Sequence, residues 1–193
     1  MTSFDQAYAW TIGKIEGGYS DNPNDAGGET YKGISRVYWP GWPGWRIVDE
    51  IKRTTLRKDY DIILGQNEEL QQMTKAFYKQ MFWDIFQGDA LPVPLSLEMF
   101  DQSINMGQKE ACTSLQRCLN VMNRRGSLYP DLVVDGKIGK KTVDAVYAYL
   151  RTDSLDDLIL LLNHRQGEYY FLSAEKREMN EDFIRGWLKR TRK

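Results

Sequence analysis

Apolar residues recur along this chain mostly at intervals of three and four, the spacing that gathers them on one face of an α-helix. Phe4, Tyr8, Ile12 and Ile15 predict a first helix, capped by Ser3 with Gln6 three residues on as in a capping box, and stopped by Gly17-Gly18. Leu70, Met73, Phe77 and Met81 predict a long helix, and Leu97, Phe100 and Ile104 another. Ala111, Leu115, Cys118 or Leu119, and Met122 mark the next, so that Asp101 to Cys118 reads as nearly continuous helix. Val143, Val146, Tyr149 and Leu150 begin a further one. Ser154 caps the most apolar helix, through Leu158, Leu162, Gln166 and Tyr169. Phe183, Ile184, Trp187 and Leu188 mark a last short helix before a basic tail.

Three stretches break this rhythm. Residues 19–34 carry Asn22-Pro23, Asp25 and Gly27-Gly28, too much punctuation for a helix, and predict a loop with one short hairpin near Thr30 to Ile34. Ser35 caps a short helix that Pro40 ends, and Trp39-Pro-Gly-Trp-Pro-Gly-Trp45 follows as an aromatic loop. Rings in such a loop can stack on sugar faces or turn into the core, and the pattern leaves both open for Trp39, Trp42 and Trp45. Arg124 to Ser127 with Pro130 form the third break, and Asp135-Gly136 makes a turn. The expected fold is mainly α with a small irregular or β corner near residues 19–34.

Length and charge narrow the function. The 193 residues suffice for a sizeable core, and 26 Lys and Arg against 27 Asp and Glu give a net charge of -1. Nucleic-acid binding calls for a basic surplus that this chain lacks. The one histidine, His164, excludes zinc sites built on two or three histidines and reads as a core or interface residue. Cys112 and Cys118 lie about 9 Å apart along a helix, too far to bridge, and read as core thiols. No segment approaches the length of a membrane span, and Met1 to Tyr8 lacks the basic start and apolar run of a signal peptide.

Candidate chemistry begins at Glu16. It borders the apolar stripe in the last turn of the first helix, where desolvation and the helix dipole both favour the protonated carboxyl. General-acid cleavage of a glycosidic bond requires such a group, with a second carboxylate or hydroxyl to position a water or act as nucleophile. Asp21, Asp25, Glu29 and Thr30 follow on a glycine-rich return. Turn chemistry explains Asp21 and Asp25 equally well. Asp101 and Asn105 share a helix face, either as a groove floor that orients sugar or Glu16, or as a buried polar pair that satisfies neighbouring backbone.

The run from Glu16-Gly-Gly-Tyr through Asp21, Pro23, Gly27-Gly28 and Thr30 to Gly33-Ile34 resembles the opening motif of glycoside hydrolase family 108. That family comprises N-acetylmuramidases, some described as secretion activator proteins and many as phage lysins. Phe82-Trp83-Asp84, Gly88-Asp89 and Leu91-Pro92 resemble its next segment, and Phe100-Asp101 with Asn105 and Gly107 its following helix. Leu115-Gln116, Leu119 and Val134 to Gly139 with Thr142 and Val146 resemble its helical peptidoglycan-binding region. The spacing also resembles phage-type lysozymes.

The resemblance implies a lysozyme-like helical bundle, with a muramidase region over residues 1–108 and a peptidoglycan-binding region over 109–193, packed as one body. It implies cleavage of the β-1,4 bond between N-acetylmuramic acid and N-acetylglucosamine, with Glu16 as acid and Asp25 or Thr30 as second group. Asp21 competes for the Asp role. Tyr19, Asp21, Glu29, Tyr31, Trp42, Asp101 and Asn105 are the expected substrate contacts. No metal or cofactor is implied. The expected partner is a peptidoglycan glycan strand, met at the cell wall by a monomer released by a route other than general export. A non-catalytic binding module and a lytic transglycosylase are the alternatives, and a cysteine peptidase comes last.

Overall fold

The computed structural model describes residues 2–14, 18–21 and 27–191. Glu16 and Asp25 lie outside the described residues, as does Ile15. The fold is mainly α, and the chain divides into two compact units, Met1–Met81 and Phe82–Lys193.

In the first unit, α1 (Ser3–Lys14) buries Phe4, Ala7 and Ile12 as the periodicity predicts. Its cap differs from the expectation. Thr2 and Asp5 form the capping box, with Asp5 N–H donating to Thr2 Oγ1 at 3.1 Å and Thr2 N–H to Asp5 Oδ2 at 2.8 Å. Hydroxyl and carboxylate are better reciprocal acceptors here than the Ser3 and Gln6 pair one residue on. Three short strands follow: β1 (Tyr19–Asp21), β2 (Glu29–Tyr31) and β3 (Ile34–Ser35), antiparallel in that order. The β2–β3 hairpin lies where Thr30 to Ile34 predicts it. Its two-residue turn, Lys32-Gly33, has positive φ at both positions, 45° and 80°, the form whose twist suits a tight hairpin.

Residues 36–43 form successive turns, not the short helix expected from Ser35 to Pro40. Ser35 is already spent, since its hydroxyl donates to Gly27 O at 2.6 Å and its carbonyl accepts from Trp39 N–H at 2.8 Å. Then come α2 (Gly44–Thr54), α3 (Tyr60–Gln66) and α4 (Glu68–Tyr78). Ile47, Val48 and Ile51 are the buried stripe of α2, and Leu64, Leu70 and Phe77 continue the core through α3 and α4. Asn67 caps α4 by accepting from Leu70 N–H at 2.8 Å.

The second unit packs α5 (Val93–Met106), α6 (Gln108–Met122) and α8 (Leu155–Lys176) against one another, with α7 (Lys140–Tyr149) on α6 and α9 (Ile184–Trp187) on α8. The expected continuous helix from Asp101 to Cys118 is broken at Gly107, whose φ of +87° ends α5 and starts α6. Phe100, Leu115, Leu119, Leu158 and Leu162 form the core, and Ser154 caps α8 by accepting from Asp156 N–H at 3.1 Å. Cys112 and Cys118 are free and buried, and burial pushes their thiols up to about 11 and about 12. His164 is exposed, contrary to expectation, because α8 carries apolar residues on several faces and its sequence alone does not say which turns inward.

Asp5 also meets Lys75 Nζ at 2.5 Å, and this bond, foremost, with the Thr2 bonds, holds its carboxyl well below the usual range. A depressed folded value means stabilisation that is complete above the unfolded pKa of about 4 and lost as the pH falls toward the folded value. Asp5→Asn is therefore expected to lower the melting temperature at pH 7, with the difference from wild type narrowing progressively below pH 4 in thermal melts.

Candidate active site

Strand alternation sorts the corner residues onto two faces. Across the sheet Ser20 pairs with Thr30 and Thr30 with Ser35, a row of three hydroxyls. Tyr19, Tyr31 and Ile34 pair on the opposite face, as do Asp21 and Glu29. Thr30 is half-buried at the centre of its row, and its hydroxyl has no hydrogen-bond partner among the described residues. Asp21 is exposed.

Glu29 is the hub of the other face. Its Oε1 meets Lys52 Nζ at 2.6 Å and accepts from Tyr19 O–H at 2.8 Å, while its Oε2 lies 3.0 Å from Arg36 Nε. Arg36 also reaches Asp49 at 2.7 Å and lies over the Trp45 ring at 4.4 Å. Burial opposes the Lys52 charge, but Glu29 and the Tyr19 hydroxyl outweigh it and hold the ammonium above the ordinary lysine value. Burial, chiefly, with Glu29 adding to it against Lys52, pushes the Tyr19 phenol up to about 12. Held between two cations and a phenol, Glu29 ties the sheet together.

The chain entering β1 is pinned from α3. Asp61 Oδ1 accepts from Tyr19 N–H at 2.6 Å, and Gly18 O accepts from Lys32 N–H at 2.8 Å. A Cβ at Gly18 would lie 2.2 Å from Asp61 Oδ1, so any other residue at the second glycine of the pair displaces the Asp61 carboxylate.

Tyr31 and Trp42 face the core instead of a sugar. Tyr31 is 1% exposed, and its hydroxyl donates to Leu64 O at 3.3 Å and accepts from Gln71 Nε2 at 2.8 Å. Trp42 is 7% exposed, stacked on Tyr31 at 6.4 Å and edge-on to Trp45 at 5.2 Å. Trp45 is buried too, its indole N–H donating to Trp39 O at 2.8 Å. Trp39 remains half-buried beside Phe77, on the wall of an apolar groove of about 410 Å³.

Asp101 and Asn105 lie within the second unit, the first buried and the second half-buried. Asp101 is fully buried and meets Arg190 Nη1 at 3.0 Å; Asn105 Oδ1, in the amide orientation that satisfies both groups, accepts from Arg190 Nε at 3.0 Å. The pair fastens the C-terminal segment through the Arg190 guanidinium, a partner that neither reading of the sequence names. Among the described residues no cluster of three His, Cys, Asp or Glu side chains is placed to hold a metal ion.

A family model described as Glycosyl hydrolase 108 matches residues 9–107, just over half of the chain. The chain belongs to the glycosyl hydrolase 108 family. Membership implies a glycoside hydrolase. A second model, described as Predicted Peptidoglycan domain, matches residues 110–192 and supports peptidoglycan as partner. The structure of Brucella abortus SagA is similar over 99% of this chain and 97% of that one, with a TM-score of 0.60 and 23% identity, a likeness of fold. No curated protein matches the chain.

Within the glycosyl hydrolase 108 match, Asp61 is the residue that sequence reasoning missed. It acts on a backbone N–H 42 residues earlier, and nothing around it in the chain signals that. Gly18→Ala is expected to displace the Asp61 carboxylate from Tyr19 N–H and cost about 1–2 kcal/mol. Introduced into Asp61→Ala, the same change should cost less, a non-additivity read from urea denaturation of the four proteins. Additive losses would show that the close approach carries no energy.

Proposed function

We propose that this glycosyl hydrolase 108 protein acts at the cell wall as an N-acetylmuramidase, cleaving the β-1,4 bond between N-acetylmuramic acid and N-acetylglucosamine. Glu16 is the general acid: it gives its proton to the bridging oxygen as the bond from that oxygen to C1 breaks. A water held by Thr30 or Asp25 adds its hydroxyl to C1, and its remaining proton passes to the Asp25 carboxylate or to solvent.

The observation that carries this reading is the Thr30 hydroxyl, half-buried without a described partner at the centre of the sheet, inside the motif that opens with Glu16. A side chain free to hold a water has a use there that Glu29, tied to Lys52, Arg36 and Tyr19, does not. Asp21 lies on the opposite face of the sheet from Thr30, which favours Asp25 as the carboxylate that works with it. The peptidoglycan model over residues 110–192 supports the same polymer as substrate.

General-acid catalysis is typically worth 10²–10⁴-fold, so Glu16→Gln should lower hydrolysis of labelled peptidoglycan by about that factor with little change in thermal stability. Thr30→Ala and Asp25→Asn should each cost less if they position water; the one that costs as much is the base or nucleophile. Mass spectrometry of the wild-type fragments should show reducing ends on muramic acid. Anhydro ends would make the protein a transglycosylase, and absence of fragments a binding module.

A further inference from the structure

The second unit holds a groove of about 1020 Å³ between α7 and the segment Leu128–Gly139, which contains neither helix nor strand. Such a segment is usually adaptable; here it is strapped down along its length. Asn120, on α6, donates to Leu132 O at 2.9 Å and accepts from Leu132 N–H at 2.7 Å, as a neighbouring strand would. Gln116, one turn earlier, donates to Asp135 Oδ1 at 2.9 Å and accepts from Gly136 N–H at 2.9 Å. Asn123 donates to Asp131 Oδ1 at 2.6 Å, and Gln87 to Ile138 O at 2.8 Å. The groove wall is thus fixed in advance, which spares a ligand the cost of ordering it.

Its charges are unevenly used. Asp131 and Asp135 are engaged by these amides, and Asp144 by Lys140 at 2.7 Å. The amide of Gln116, foremost, and the Lys137 N–H hold the Asp135 carboxyl below its ordinary value. Lys137 acts on Asp135, whereas the side chains of Lys141, on α7, and Arg151, two residues past its end, are exposed and meet no carboxylate among the described residues. Between the charges the lining is small and apolar, with Pro130, Ile138, Ala145 and Ala148. The two phenols of the lining are occupied: Tyr129 O–H donates to Leu119 O at 2.9 Å and Tyr147 O–H to Ala90 O at 3.1 Å.

We infer that this groove binds the peptide stem of peptidoglycan, not its glycan strand. The stem is a short extended peptide with small methyl side chains and several free carboxylates. The methyls suit the apolar lining, and the carboxylates suit Lys141 and Arg151, in charge-assisted bonds that guanidinium makes in bidentate form. This assignment rests on peptidoglycan being the substrate, as proposed above.

The test uses the full-length Glu16→Gln protein, so that no probe is consumed. Calorimetric titration compares three soluble probes: the free stem tetrapeptide, the disaccharide-tetrapeptide, and the disaccharide without peptide. The tetrapeptide is expected to bind, and Lys141→Ala with Arg151→Ala should weaken it at least tenfold while leaving the disaccharide unchanged. Both positions are exposed, so the melting temperature should not move, and this is checked in parallel. A tetrapeptide whose carboxylates are converted to amides should bind as weakly to wild-type groove residues as the native tetrapeptide does to the double variant. Binding of the disaccharide but not the tetrapeptide, or tetrapeptide binding that the double variant leaves intact, would overturn the groove assignment alone. Failure of all three probes to bind would overturn the peptidoglycan reading beneath it as well.

Discussion

The Glu29 carboxylate, 12% exposed between Lys52, Arg36 and the Tyr19 hydroxyl, is the interaction on which the small sheet depends. Strands of two and three residues do not hold together unaided in water. Glu29 stands in β2, Tyr19 in β1, Arg36 directly after β3 and Lys52 in α2, so one side chain joins three strands to a helix. A half-buried carboxylate with two cations adds little net stability, because desolvation offsets much of the attraction. Its consequence is register. A slip of one residue would bring Glu29 to the hydroxyl face and turn Thr30 toward Lys52 and Arg36, leaving a charge unpaired on one side and a cation pair on the other. The position of Thr30 is thus enforced from the opposite face of the sheet. Tyr31 reinforces it, since its ring fills the core only in this register, with Trp42 stacked on it.

The second unit meets a similar problem by different means. Its irregular segment has backbone groups that no helix or sheet satisfies, and unsatisfied groups next to a core are costly. Gln116 and Asn120 on α6, and Asn123 directly after it, serve those groups with neutral amides, which offer a donor and an acceptor each. Charged side chains could do part of this work but would leave fixed charges along the groove. Amides keep the wall fixed and leave Lys141, on α7, and Arg151, just past it, to face the solvent.

The helical framework was largely legible because its signal is local. Phe4 and Ile12, or Leu158 and Leu162, announce a buried face through spacing alone, and Ser154 caps the helix that follows it. What escaped the sequence depends on partners far along the chain. Asp101 and Asn105 were recognisable as a polar pair on one helix face, yet their partner Arg190 lies 89 residues away in a tail that reads as solvated. Asp61 is equally silent. Trp42 and Tyr31 look like sugar platforms because a loop of Pro, Gly and Trp has no period to say which way its rings turn; packing against Phe77 and Trp45 decides it. The segment Gly44–Thr54 was hidden by the aromatic loop before it, although Ile47, Val48 and Ile51 carry a helical stripe. Of the candidate site, the motif and its hydroxyl were readable, while the side of the sheet on which each residue falls required the register.

A near-neutral net charge conceals how the charges are distributed between the two units. In the first, the acids and bases around the sheet neutralise one another through Glu29, Arg36, Asp49 and Lys52, and the Thr30 row is left with uncharged hydroxyls. A neutral surface suits the sugar ring, which carries no charge until the transition state develops one. In the second, the acids of the groove are engaged by amides, by Lys140 and by the nearby Lys137, while Lys141 and Arg151 meet no carboxylate among the described residues. That surplus suits carboxylates, to which its hydrogen bonds are charge-assisted, better than a neutral glycan. Peptidoglycan presents both chemistries on one polymer, and two weak holds on a single molecule raise the effective concentration of each site for the other's ligand, provided both can be engaged at once. Composition averages these two surfaces to almost nothing. The decisive quantity is which charges the fold leaves unpaired.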